Sequence, residues 1–467
     1  MEYLIRFAQL HETFRKPETD SLAELTGVTI DWEFYSEKSP YSIVRLDGGE
    51  WNSARARNLI ARSILATGIY ELWGAGTDYA SLHADVRRRT QAVWPECYTQ
   101  SFRFEIDAFH GSRSTEERRR IYESFKYMGF IGGVDMSKPD NQFTVFEEYQ
   151  LDAVGNAGPE PIRLYLGRAV AESGRKAVNK YNLKKRKYIA TTSMDAELSL
   201  VTANMALAAP GRIAYDPFTG TGSFPLSCAH FGSAVAGSDL DGRSIRGAPQ
   251  RNVATNFAQY NTSHLYLGGF VADVTNSPLV QRRFLDSIVC DPPYGVREGL
   301  KVLGSPRIEL QQEVILQDGT PAHLAPGYIP PKKPYSFFRM LDDILAFSAD
   351  RLVDRGRLCM WMPVAGAVEE TGSDEAIVGG ETEFAIPRHP ALEVLSVCTQ
   401  DFNKWSRRLL TYRRLKDQDI NQTELATYKE YRKTMNNDEA TQGHRFSADD
   451  LNDFRRKYFQ GFKDGVV

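Results

Sequence analysis

Four apolar runs between residues 212 and 291 each end on an aspartate. "RIAYD" closes on Asp216, "SAVAGSD" on Asp239, "HLYLGGFVAD" on Asp273 and "DSIVCD" on Asp291. Short apolar runs bounded by Gly, Pro and polar turns read as buried strands. Between them lie helical stretches. "SFPLSCAHF" is one, closed by Gly232; residues 335–353 are another and precede a fifth strand, "GRLCMWM" (356–362). Strand–helix alternation predicts a parallel, doubly wound sheet. Such sheets bind ligands beyond the carboxyl ends of their strands. The acids therefore constrain both the fold and the face of the sheet that carries chemistry. "ALEVLSVCTQDF" and "RRLLTYRR" suit a closing hairpin.

This pattern occupies about 188–416. Residues 1–165 differ: short strand-like runs ("YLIRFAQ", "YSIVRLD", "SFRFEIDAF") alternate with helical ones, as in small α+β modules. Ser114 and Glu117 form an S-x-x-E capping box, followed by Ile121, Phe125 and Met128 at helical spacing. "DAVGNAGPEP" (152–161) reads as a linker, and 166–187 as the junction between the two regions. The stretch 300–334 is rich in proline and glycine and too long for an ordinary connection, so it reads as a functional insertion. Residues 417–467 form a charged helical extension with no catalytic signal.

With 42% hydrophobic and 25% charged residues, the chain is of the ordinary globular type. It has no apolar run long enough to span a membrane, and its first residues lack a signal-peptide profile. Its five cysteines are scattered and contain no CxxC pair, so they read as reduced, mostly core residues of a cytosolic or nuclear protein, here expected to be cytoplasmic, rather than as disulfides or metal ligands. A net charge of −3 does not advertise nucleic-acid binding, although an average can hide a local basic face.

In "DPFTGTGSF" (216–224), Gly220 and Gly222 allow the backbone to approach a ligand at a strand-to-helix turn. The loop is neither GxxxxGK[ST] nor GxGxxG, and Asp216 at its head would repel phosphate. It suits a cationic ligand end such as an amino-acid ammonium group; a plain structural turn is the alternative. Asp239, twenty-odd residues on, is placed to hydrogen-bond ribose hydroxyls, whereas Asp241 could cap the next helix. Asp273 could take an adenine amino group or cap a turn. Together these describe a phosphate-free nucleoside carrying an ammonium group. S-adenosylmethionine fits that description; NAD and ATP do not.

"CDPPYG" (290–295) supplies the chemistry. An exocyclic amine on a base is a poor nucleophile because its lone pair is delocalised. Two acceptors, the Asp291 carboxylate and the Pro292 carbonyl, would hold its two protons and aim the lone pair at a methyl sulfonium. Pro292 and Pro293 stiffen the turn, and Tyr294 can stack on a planar base. A strand ending in a structural proline turn is the plain alternative.

"DPFTGTGSF…GSDLDG…DPPYG" resembles the tRNA N2-guanine methyltransferases. "NKYNLKKRKYIATTSMDAELSLVTANMAL" (179–207) closely resembles the junction in the eukaryotic tRNA (guanine-10-N2)-methyltransferase catalytic subunits. The likeness runs from about 160 to 415 and is looser before it. It implies a class I (Rossmann-like) methyltransferase sheet preceded by ferredoxin-like and THUMP modules. It further implies S-adenosylmethionine as cofactor, tRNA as substrate and a small zinc-binding activator subunit as partner. By resemblance Asp291, Pro292, Pro293 and Tyr294 form the catalytic motif. Asp216, Phe218, Gly220 and Gly222 would hold the methionine end, Asp239 the ribose and Asp273 the adenine. Thr192, Ser193 and Met194 would line the cofactor site, although Thr192 and Asp195 alone look like a helix start. The segment 299–320 does not align with the family and carries no assignment.

Lys184, Lys185, Arg186 and Lys187 lie between the two regions, where phosphate contact is expected; a solvated charged face is the alternative. Arg118 and Arg119 are weaker RNA candidates, as are Arg120 and Arg87 to Arg89. In the strand order that the resemblance implies, the strand 264–273 lies at the sheet edge; having no charge or proline from His264 to Ala272, it is the candidate surface for the activator, with a protective bulge at Gly268–Gly269 as the plain alternative. Rival readings are an amino methyltransferase acting on DNA or on protein glutamine, and a catalytically silent RNA-binding scaffold.

Overall fold

The computed structural model describes residues 1–48, 51–296, 300–305, 312–325, 328–365, 386–402, 405–441, 452 and 454. Two compact units divide the chain, Met1–Ala177 and Val178–Val467.

Seven strands of the first unit share one sheet. They are β1 (Glu2–Phe7), β2 (Ile30–Phe34), β3 (Tyr41–Leu46), β4 (Ala66–Gly76), β5 (Phe102–Phe109), β6 (Asn141–Glu148) and β7 (Arg163–Glu172). Their order is β2-β3-β1-β4-β7-β6-β5. Only β5 and β6 run parallel; the other neighbours are antiparallel. The Ser114–Glu117 capping box is formed at the start of the helix Thr115–Ser124. Ile121, Phe125 and Met128 below it join Trp73 and Phe143 in one apolar cluster.

The boundary differs from the one read in the sequence. The 152–161 stretch is a loop inside the first sheet, joining β6 to β7, and the Asp152 carboxylate orders it by accepting from Val154 N and Asn156 N at 2.9 and 2.8 Å. Residues 163–172 are a central strand rather than a domain edge. A Gly- and Asn-rich turn looks the same between two strands as between two domains, because its local chemistry is identical.

The second unit carries the expected doubly wound sheet. Its strands are β8 (Ile213–Asp216), β9 (Ala234–Asp239), β10 (Tyr266–Val271), β11 (Leu285–Cys290), the small pair β12 (Lys301–Leu303) and β13 (Lys332–Pro334), then β14 (Leu352–Ala365), β15 (Leu392–Asp401) and β16 (Trp405–Arg414). The main sheet runs β10-β9-β8-β11-β14-β16-β15. The pairings from β10 to β14 are parallel; β16 runs antiparallel to both β14 and β15. The chain winds outward from β8 to β10, then returns to β11 on the other side of β8. Strand order therefore reverses between β8 and β11, the topological switch point at which open α/β sheets bind ligands. Asp216 ends one of these strands, and Asp291 directly follows the other.

The extension predicted after 417 begins as a helix, Gln422–Thr441. The second helical stretch expected there falls, apart from Asn452 and Phe454, outside the described residues.

Candidate active site

A cleft of about 630 Å³ opens over the carboxyl ends of β8, β9 and β11. It is lined by Thr192, Ser193, Met194, Asp216, Phe218, Gly220, Asp239, Asp273 and the whole Asp291–Pro292–Pro293–Tyr294 stretch. The structure thus brings the predicted cofactor and catalytic residues to one place. Gly222 stands just behind them, in left-handed conformation (φ 83°), as the N-cap of the helix Ser223–His230. Gly220 (φ 50°) is left-handed as well. These two conformations turn the loop tightly into the helix start, in a backbone region that favours glycine.

Each acid is held differently. Asp216 is buried, and its Oδ1 accepts from Phe218 N at 2.9 Å. Burial pushes its carboxyl well above the usual range; the Phe218 N–H opposes this, and the charges of Asp239 and Asp291 add to it. Asp239 accepts from Gly220 N and Asp241 N, both at 2.8 Å. Burial raises its carboxyl against these two bonds. Asp241 caps the next helix through Arg243 N, which leaves Asp239 as the strand-end acid turned to the cleft. Among the described residues no ion pair reaches Asp216 or Asp239. Carboxylates gathered in a low-dielectric cleft repel one another, and a cation seated among them relieves that cost.

Asp273 resolves into the turn-capping alternative. Its Oδ1 accepts from Thr275 N, Thr275 Oγ1 and Asn276 N at 2.9, 2.7 and 2.8 Å. Its Oδ2 accepts from Leu303 N at 2.7 Å. Asp273 therefore fastens β12, the base of the 300–334 insertion, to the rim of the cleft. Lys301 and Val302 line the cleft for that reason, a contribution the unaligned segment gave no sign of.

The tetrapeptide also differs from expectation in one respect. Tyr294 OH donates to Asp291 Oδ1 at 2.5 Å, so the phenol hydroxyl occupies one of the positions expected for an amine proton. Asp291 Oδ2 faces Arg407 Nη1 at 3.9 Å. Burial raises the Asp291 carboxyl, while the Tyr294 hydroxyl and the Arg407 charge pull it down. Arg407 comes from β16, over the Trp361 ring at 4.7 Å, with Nε bonded to Gln400 Oε1 at 2.7 Å. It was not read as a site residue, because an arginine in a strand carries no local signature. Gly237 was also missed: a Cβ there would lie 1.9 Å from Thr219 Oγ1, so the glycine makes room for the cofactor loop.

The basic run at 184–187 is not a uniform face. Arg186 is 5% exposed, with Nη1 donating to Ser223 Oγ at 2.7 Å and burial lowering its pKa. It braces the helix behind the glycine loop and cannot serve as a phosphate contact. The turn Leu183–Lys185 rotates it inward, which four adjacent cations could not reveal. Lys184, Lys185 and Lys187 are exposed, with Lys185 Nζ bonded to Asn179 O and Oδ1 at 2.9 and 2.7 Å. Arg118 and Arg119 are exposed; Arg118 Nε donates to Arg113 O, and Arg119 pairs with Glu123.

All five cysteines are buried, and none is in a disulfide. Among the described residues there is no His, Cys, Asp and Glu cluster that could hold a metal ion and no helix long and apolar enough to cross a membrane.

A doubly wound sheet with this glycine loop, these acids and a strand-end Asp-Pro-Pro-Tyr defines a class I methyltransferase. Residues 1–175 match the family described as Tmrp11 THUMP N-terminal domain, and residues 184–304 match the RMKL-like methyltransferase domain. The chain is 45% identical to the tRNA (guanine(10)-N(2))-methyltransferase of Saccharomyces cerevisiae, over 88% of this chain and 92% of that one. It is 36% identical to the Schizosaccharomyces pombe protein of the same name, over 88% and 89%. A solved structure, TrmN from Thermus thermophilus, aligns over 89% of this chain and all of that one at 18% identity, with a TM-score of 0.42. The chain belongs to the tRNA (guanine(10)-N(2))-methyltransferase family.

Proposed function

We propose that this chain methylates the exocyclic N2 amine of guanosine 10 in tRNA, using S-adenosylmethionine, in the cytoplasm. The observation that carries the reading is Asp291, presented beside two prolines at the switch point, across the cleft from Asp216 and Asp239. The residues fit the cofactor. Asp216 suits its ammonium group, the free lone pairs of Asp239 suit ribose hydroxyls, and Thr192, Ser193, Met194 and Phe218 wall the cleft. When bound, the cofactor supplies an electrophilic methyl on a sulfonium. Asp291 and the Pro292 carbonyl orient the amine, and the Tyr294 hydroxyl gives up Oδ1 to it. Asp291 need not be a strong base, because the amine becomes acidic as its nitrogen gains a fourth bond. Orientation of this kind supplies much of a rate enhancement.

We further propose that a small zinc-binding activator completes the sheet at β10. This edge strand pairs only with β9 among the described residues. Leu267 and Val271 are 61% and 43% exposed on it. Gly268 (φ 122°) and the register shift beside it form the bulge that would otherwise guard the edge.

Nucleoside mass spectrometry of undermodified tRNA treated with the purified complex tests the activity, with duplex DNA as the comparison substrate. N2-methylguanosine at position 10 is expected. Asp291→Ala should lower kcat by about 100-fold or more while cofactor and tRNA affinities stand. Near-normal turnover in that variant would make the tetrapeptide structural.

A further inference from the structure

Two residues of the C-terminal extension sit against the catalytic turn. Asn452 and Phe454 are 3% and 2% exposed. Asn452 Nδ2 donates to the Tyr294 carbonyl at 2.9 Å, from a position 158 residues away in sequence. Phe454 meets the Tyr294 ring edge-on, with centroids 6.2 Å apart and planes at 83°. Trp405 meets the same ring at 6.0 Å and 71°, and Phe454 at 6.1 Å and 60°. The approach is close enough to dictate the next residue: a Cβ on Gly295 (φ 72°) would lie 2.5 Å from Asn452 Nδ2.

We infer that Asn452 and Phe454 are positioning residues that fix the Tyr294 ring and main chain for the incoming base. The physical reason lies in the turn itself. Its prolines lack backbone N–H groups, so they cannot anchor it by donation. Tyr294 must nevertheless hold one ring plane to stack on a base, while its hydroxyl reaches Asp291 Oδ1 at 2.5 Å. Edge-on aromatic contacts fix a ring plane, and a carbonyl bonded to a buried amide fixes the turn. A segment without chemistry of its own thus sets the geometry of two residues that have it.

The inference rests on the methyl-transfer reading, and the test separates the two. The full chain, purified with its activator, is compared as wild type, Asn452→Asp, Phe454→Leu and Phe454→Tyr. Asn452→Asp keeps the shape but loses the donor; Phe454→Leu keeps apolar bulk but loses the ring. Both should lower kcat about tenfold or more, with cofactor affinity by calorimetry within about twofold and Tm unchanged, and Phe454→Tyr should restore kcat. Wild-type turnover in Asn452→Asp, or equal loss in Phe454→Leu and Phe454→Tyr, would overturn the inference, as would a loss of kcat that tracks Tm. If the wild-type complex methylates a different nucleoside, the functional reading fails, and the same variants assayed on that nucleoside still decide the positioning role.

Discussion

Asp216 sits where its own charge is disfavoured. Its folded pKa lies above the unfolded one, so in the ligand-free protein the ionised form costs stability. That cost is absent at low pH and appears as pH rises through the carboxylate range toward the raised value. Asp216→Asn keeps the acceptor for Phe218 N and removes the cost. Its ligand-free Tm should rise by about 2 °C or more, while cofactor affinity by calorimetry falls about 10- to 100-fold. A lower Tm with intact affinity would make Asp216 structural. Asp291 poses the related question of rate. It must be ionised to hold the amine, and burial raises its pKa, so kcat should fall on an acid limb above the ordinary carboxylate range. The groups facing it are the Tyr294 hydroxyl, Arg407, Asp216 and the Cys290 thiol. Of these, Arg407 is the cation that favours ionisation, so Arg407→Gln should move that limb up by about one pH unit, and Arg407→Lys should restore most of it. An unmoved pH profile would remove Arg407 from the electrostatics of the site.

At the scale of elements, β10 is the informative strand. Edge strands ordinarily protect themselves with charge, proline or a bulge, and this one has only the bulge. Leu265 lies half-buried in the turn Ser263–Leu265, whereas Leu267 projects outward. Leu267→Lys should therefore abolish co-purification with the activator without lowering the Tm of the subunit. Wild-type yield of the complex would place the interface elsewhere. The insertion behaves as an element too: β12 is tied by Leu303 N to Asp273, so the cleft rim is built from two segments that no local pattern connects.

At the scale of the molecule, each compact unit has its own apolar cluster. A fragment starting at Val178, rather than near 165, should fold and bind S-adenosylmethionine like the full chain. By electrophoretic mobility shift its tRNA affinity should drop about tenfold or more if the first unit, which matches a THUMP family, supplies phosphate contacts. Undiminished affinity would place the RNA site in the second unit.

Taken alone, the sequence determined the doubly wound sheet, the glycine loop and the aspartates at four strand ends, whereas the edge position expected for β10 came from the family resemblance. The first three are local signals: apolar runs of strand length, turns that demand glycine, and a proline pair directly after a strand. Even the hairpin of β15 and β16 was legible, because its two runs are adjacent in the chain. Only the tertiary structure decided which cation in the 184–187 run turns inward, that Asp273 spends its lone pairs on a turn and on the insertion, and that β7 belongs to the first sheet. It alone brought Arg407, Asn452 and Phe454 to Asp291 and Tyr294. Their partners are set by where strands and helices close on one another, and a contact spanning 158 residues leaves no period or spacing in the chain from which to read it.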